Sequence, residues 1–261
     1  MYILLVFITH KLTQTNNRSK QLKLMKKNML TLIFAVVFIA LQSCHKISGN
    51  GPTISRTYNL TDFTSVYAGL DGDVYYTQDS IYKVEIHAQA NIMDMIDAHI
   101  SNGELQLAYE KYKNVGRHDR VAVYISAPFL NGMGINGSGN LYALQPVRCN
   151  NMNLRVNGSG NVNIMQFTGT TLSANISGSG NITVSGGNVN SEDLRISGSG
   201  TLDLLNITAN SVTTTTSGSG STTVYAADAL NVHISGSGNV YYSGNPSVNS
   251  SISGSGKVRH L

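Results

Sequence analysis

Acidic side chains are scarce in this chain, 14 in 261 residues, and their spacing decides whether they can act on a sugar. Glycoside hydrolysis needs two carboxyl groups facing each other about 5–9.5 Å apart. A Ca²⁺ site of the kind polysaccharide lyases use needs six to eight oxygens. From residue 131 onward the only acids are Glu192, Asp193, Asp203 and Asp228. Asp203 and Asp228 follow Gly-Ser-Gly triplets at unequal distances, and Glu192-Asp193 precede one. They therefore fall on different strips and read as solvated edge charges. Asp71-Gly72-Asp73 lacks the further acids of a calcium loop and reads as a turn. His87, His99, His118, His233 and His260 show no zinc-binding pair. Cys149 sits between Arg148 and Asn150 with no histidine motif beside it, and reads as a small half-buried residue rather than a nucleophile. Gly-Ser-Gly lacks the Lys-Ser/Thr ending of a phosphate loop. No catalytic residue, metal site or cofactor is expected.

Cys44 is the exception. Met25-Lys26-Lys27 opens a basic stretch, Met29 to Ala40 is an apolar run, and Leu41-Gln42-Ser43-Cys44 follows. The run has the length of a signal-peptide core and is short for a membrane span, which takes about 20 residues. The ending resembles a lipobox, which implies cleavage before Cys44 and a diacylglycerol on its sulfur. The expected partner is thus a membrane, through the lipid, and the expected location is the cell envelope, at the outer membrane on a side left open. Asp79-Ser80-Ile81 resembles a bacterial O-glycosylation site.

The polar residues also fall into columns. Asn140, Asn161, Asn181 and Asn239 each follow a Gly-Ser-Gly directly. Tyr142, Asn163 and Tyr241 stand two residues further on. Amides, hydroxyls and tyrosines in rows suit a glycan or an envelope protein, and self-association is a third use. The same rows also serve a stacked fold with no ligand, through hydrogen bonds along the ladder.

Bulk composition narrows the classes further. The six basic residues before Ser43 stand without acids, so residues 44–261 hold 12 basic and 14 acidic residues, a net of −2. That excludes the basic footprint of a nucleic-acid binder. Charged residues are 12% of the chain and hydrophobic ones 41%, which fits ordered β structure rather than disorder.

Repetition fixes the architecture. Gly-Ser-Gly occurs at 137–139, 158–160, 178–180, 198–200, 218–220, 236–238 and 254–256, at steps of 21, 20, 20, 20, 18 and 18. An apolar column precedes it: Ile135, Val156, Ile176, Ile196, Ile234 and Ile252, with Thr216 in the fifth unit. Leu141, Val162, Ile182, Leu202, Val240 and Val258 follow it, with Thr222 in the same unit. The spacing of two places these side chains on one face of a strand. The recurrence near 20 stacks like on like. This predicts an all-β, single-stranded parallel β-solenoid, right-handed, over 131–261, about 29 Å tall at 4.8 Å per coil.

Residues 53–130 read as a more irregular β-rich part. Val74 to Thr77, Lys83 to His87, Glu104 to Leu107 and Val121 to Ile125 are strands. Ser101-Asn102-Gly103 is a hairpin turn, and Asn91 to Ala98 is a helical turn or two. Upstream lie a tether, 44–52, the signal, 25–43, and residues 1–24, which precede a fresh start at Met25.

The repeated Ile-Ser-Gly-Ser-Gly-x-Val pattern resembles the auto-transporter adhesin head GIN domain, common in lipoproteins of Bacteroidetes. Phe63 to Val66, Val84 to Ile86, Asn102 to Leu105, Val121 to Val123 and Gly244-Asn245-Pro246 match it, so the resemblance spans about 55–261. It implies a β-helix-like fold in an exported protein and carries over no catalytic residue. The expected role is non-catalytic, an adhesin-like binding or scaffolding module. The competing role is a carbohydrate-active enzyme on a pectin-lyase-like β-helix.

Overall fold

A strand with period-two alternation must bury one face, and the spacing of the repeats decides what it is buried against. In the computed structural model, which describes residues 46–111 and 113–261, successive repeats cover one another in parallel register. The expected signal segment and Cys44 lie outside the described residues. Residues Ile47–Leu261 form one compact unit.

The first part of this unit holds β1 (Thr53–Tyr58), β2 (Ser65–Ala68), β3 (Gly72–Gln78), β4 (Lys83–Gln89), α1 (Ala90–Met93), β5 (Ile96–Ser101), β6 (Glu104–Tyr109) and β7 (Val121–Ala127). The repeats supply β8 (Gly132–Gly137), β9 (Asn140–Arg148), β10 (Asn151–Gly158), β11 (Asn161–Thr168), β12 (Thr171–Gly178), β13 (Asn181–Val184) and β14 (Gly187–Gly198). They end with β15 (Thr201–Gly218), β16 (Ser221–Gly236), β17 (Asn239–Ser243), β18 (Ser247–Gly254) and β19 (Lys257–His260).

The expected β-solenoid is present, with about six coils of about 20 residues. Val156 lies between Ile135 and Ile176, and Ile196 lies between Ile176 and Thr216. From Ile135 to Ile234 this column is at most 3% exposed. Leu141 through Val240 form the second column, all at 0%. The Gly-Ser-Gly corner joins the two. Its first glycine has positive φ, +132° at Gly178, and the Ser179 and Gly180 amides donate to the Gly158 carbonyl of the preceding coil at 2.9 and 3.0 Å. A Cβ on Gly180 would run into the Gly160 carbonyl oxygen. Glycine is therefore required where backbones close on one another.

One inward position breaks the apolar rule. Glu192, expected as a solvated charge, sits in the column between Leu172 and Val212 and is 3% exposed. Neither carboxyl oxygen has a hydrogen-bond partner, and burial holds its pKa well above the ordinary carboxylate range. Register explains this: once neighbouring coils align, position 192 faces inward whatever residue stands there.

The irregular part continues the same stack, out of chain order. β2 pairs in parallel with both β6 and β8, and β3 with both β7 and β9. The β2–β3 coil thus lies between the β6–β7 coil and the first Gly-Ser-Gly coil. Antiparallel strands finish that end: β5 on β6, β4 on β7 and β1 on β4. The expected hairpin turn joins β5 to β6, with Asn102 and Gly103 at φ +52° and +76°, as a two-residue turn of this type requires. The helix is shorter than expected. It ends at Met93, and Ile96 already begins β5, because Ile96, Ala98 and Ile100 alternate against β6. Ile92 and Met93 of α1 are fully buried. The described part of the expected tether is fastened: Ile47 exchanges backbone hydrogen bonds with Asn114 and Gly116, both 2.8 Å.

Candidate binding face

Parallel register turns every outward residue into a member of a column running the length of the stack. On the strands that follow the corners, Asn140, Asn161 and Asn181 stand side by side, then Thr201, Ser221, Asn239 and Lys257. The structure extends this column upstream to Asp73. The amides serve one another: Asn181 Nδ2 donates to Asn161 Oδ1, and Asn161 Nδ2 to Asn140 Oδ1, both at 2.8 Å. Asn140 Nδ2 donates to Asp73 Oδ1 at 2.9 Å, and Arg120 holds the same carboxylate at 2.7 Å. The ladder reading of these asparagines is therefore realised, which leaves their remaining lone pairs and protons to the outside. Asn239 lies beyond Ser221, apart from that chain of amides.

The neighbouring column contains Tyr142, Asn163, Thr183, Asp203, Thr223, Tyr241 and Arg259. Its upstream continuation is aromatic. Tyr75 stacks on Tyr142 at 5.4 Å between ring centroids and on Tyr124 at 5.3 Å, and His87 meets Tyr124 edge-on at 5.1 Å. Because these rings cover each other's faces, they present their edges and hydroxyl groups rather than a flat platform. Tyr75, Tyr124 and Arg120 are not among the sequence candidates, and Asp73 enters there only as part of a turn. The alternation through Val74 and Tyr76, both buried, marks Tyr75 as outward, but the register that brings Tyr124 beside it joins distant segments.

The acids of the repeats do not converge. Asp193 pairs with Arg195 at 3.0 Å on the other outward face, Asp203 stands between Thr183 and Thr223, Asp228 is exposed, and Glu192 is inside. Among the described residues no group of three or more His, Cys, Asp or Glu gathers in metal-binding geometry. Of the three residues expected as a turn, Gly72 and Asp73 already belong to β3, paired with Val121 and Ala122, and Asp73 is held by Arg120. His87 pairs with Glu85 at 2.7 Å and His99 with Asp97 at 3.1 Å. Burial pushes the Cys149 thiol up to about 11, the opposite of an activated nucleophile.

The model of the family described as putative auto-transporter adhesin, head GIN domain, matches residues 62–246. The chain belongs to this family. The head GIN match begins just before β2 and so takes in the coils that lack Gly-Ser-Gly. A putative adhesin from Bacteroides fragilis shares the fold at a TM-score of 0.77 and 25% identity, over 82% of this chain and 100% of that one. A putative lipid binding protein from Parabacteroides distasonis has a TM-score of 0.68 at 23% identity, over 83% and 100%. A putative adhesin from Parabacteroides merdae has 0.67 at 20%, over 84% and 100%. No functionally curated protein matches the head GIN chain.

Proposed function

We propose that this protein is a lipid-anchored envelope protein that binds a partner through the outward columns after the corners and performs no covalent chemistry. The observation carrying this reading is the unbroken register of the two columns from β3 to β19. Repeated neutral donors and acceptors at about 4.8 Å spacing suit an extended ligand held by many weak contacts. No two carboxyls of the repeats face each other across such a ligand. Membership of an adhesin family supports the same reading and an envelope or surface location. Lipidation at Cys44 rests on the Leu-Gln-Ser-Cys ending. Ile47 is already fastened to the fold, so the chain between Cys44 and the fold spans at most about 11 Å when extended.

Full-length protein solubilised from membranes is applied to a glycan array and, in parallel, used to capture partners from envelope extract. Retention of one ligand without turnover, weakened by Asn161→Ala, Asn181→Ala or Tyr241→Ala, supports the reading. Turnover of a polysaccharide, abolished by Asp203→Asn or Asp228→Asn, overturns it. Mass spectrometry of the same material should show a diacylated Cys44 at the N-terminus, and an unmodified thiol there would remove the anchor.

A further inference from the structure

The strands that precede the corners carry their own outward columns, and two adjacent ones are interrupted. Positions 153 and 155 of β10 align with Gly132 and Gly134 of β8, then with Ser65 and Tyr67 of β2. Most other coils carry a side chain at both positions. The two glycines leave a gap, and Tyr67 leans into it. A Cβ on Gly134 would lie 2.6 Å from the Tyr67 ring, and one on Gly132 would lie 3.2 Å from its hydroxyl. From the far side, the Arg155 guanidinium is set over the same ring, 5.5 Å from the centroid, a cation–π geometry that holds an exposed arginine in place. Beside them lies a shallow, open cleft of about 460 Å³.

Its lining is polar and mostly neutral: Ser65, Asn131, Asn151, Asn153 and Ser173, with Glu104 also present. Two groups there have no polar partner among the described residues. Arg155 has no carboxylate within ion-pairing distance among the described residues. Two coils on, in the same column, Arg195 is paired with Asp193; the residue that stands to Arg155 as Asp193 stands to Arg195 is Asn153. Asn153 Oδ1 is sealed from solvent with no hydrogen-bond partner, so turning that amide toward a hydroxyl breaks no bond made by the oxygen. Glu104 is occupied in part, accepting from Gln106 Nε2 at 3.1 Å. Burial raises the Tyr67 pKa, which keeps the phenol a neutral donor.

We infer that this cleft binds a carboxylate-bearing sugar unit, with the carboxylate on Arg155 and the ring hydroxyls on the surrounding amide and hydroxyl groups. The unpaired guanidinium selects for an anion and can grip a carboxylate through two parallel hydrogen bonds. The neutral lining suits hydroxyl groups. The Tyr67 ring and the buried Met152 are its main apolar surfaces, which disfavours an acyl chain or an apolar peptide side chain. The site lies on the strands before the corners and does not use the columns proposed above.

The test is calorimetric titration of the full-length protein with methyl glycosides of D-glucuronate and D-galacturonate, each against its neutral hexose counterpart. At least one uronate should bind ten-fold or more tightly than its counterpart. Arg155→Gln should erase that margin, Tyr67→Leu should weaken binding several-fold, and Arg195→Gln should change nothing. Thermal unfolding of Arg155→Gln should match the parent, since the side chain is exposed. Equal binding of acidic and neutral sugars, an unaltered Arg155→Gln, or no binding of either uronate would overturn the site. Asn161→Ala and Tyr241→Ala should leave uronate binding intact. Absence of uronate binding in a parent protein that still retains an envelope ligand refutes this inference alone, and the reverse result refutes only the proposed face.

Discussion

The two ends of the stack are built differently. At the β6–β7 end, antiparallel strands take up the backbone edges and α1 closes the interior, leaving Ile92 and Met93 at 0% exposure. At the other end, β18 pairs only with β16 and β19 only with β17 among the described residues. Ile252 belongs to the same column as Ile196, yet it is 42% exposed where Ile196 is 2%, and Val248 is 39% exposed. A regular repeat can extend a solenoid but contains nothing that ends one, because every coil presents the surface its successor needs. Closure requires departure from the pattern, and the departure here is the irregular N-terminal part.

The contrast can be broken by moving the open end. Deleting residues 176–195 removes one whole unit, joins Asn175 to Ile196 and keeps every column in register. Far-ultraviolet circular dichroism and a cooperative thermal transition should survive. Deleting 176–185 alone puts outward residues inside and should leave no cooperative transition. Equal behaviour of the two deletions would refute the stacked-coil account.

Within one column, position should decide the cost. Ile196→Asp places an unpaired charge among buried neighbours and should cost about 3–5 kcal/mol in denaturant unfolding. Ile252→Asp, the same change at the open end, should cost under about 1 kcal/mol. Similar losses at both sites would mean that the last coil is covered.

Glu192 allows a gain. Its folded-state pKa lies well above the unfolded value of 4.5. Below pH 4.5 both states hold the proton. As the pH rises past that value the unfolded chain releases it first, so stability falls until the raised folded-state pKa is reached and then levels. Glu192→Leu, matching Leu172 in the coil before, should raise stability at neutral pH by roughly 1–3 kcal/mol and flatten this slope. A variant that keeps the slope would assign it to another group. A small effect is expected on the outer face as well. Asn161→Ala interrupts the amide ladder and should cost about 0.5–1.5 kcal/mol, measurable as a small drop in the thermal midpoint.

These residues also show what was legible beforehand. Ile176 and Ile182 could be placed inside from sequence because parallel coils copy a position at a constant offset, so one repeat reports on the next. The asparagine column was visible for the same reason. Glu192 was misread because a carboxyl beside Asp193 looks solvated, and only the register shows it facing inward. The coils at β2–β3 and β6–β7 carry no Gly-Ser-Gly and sit out of chain order, so no offset could reveal them. The Tyr124, Tyr75 and Tyr142 stack was hidden with them. The cleft at Gly132 is an absence of side chains between two segments that only the fold brings together.

The inserted position of the β2–β3 coil has a kinetic consequence. Its two neighbours come from later in the chain, so β2 and β3 have no lateral partner until β6 to β9 have been made. From β10 onward each new coil finds a finished edge to grow on. Folding should therefore divide into a slow nucleus spanning residues 53–148, which must close long loops, and a fast templated zipping that runs only toward the C-terminus.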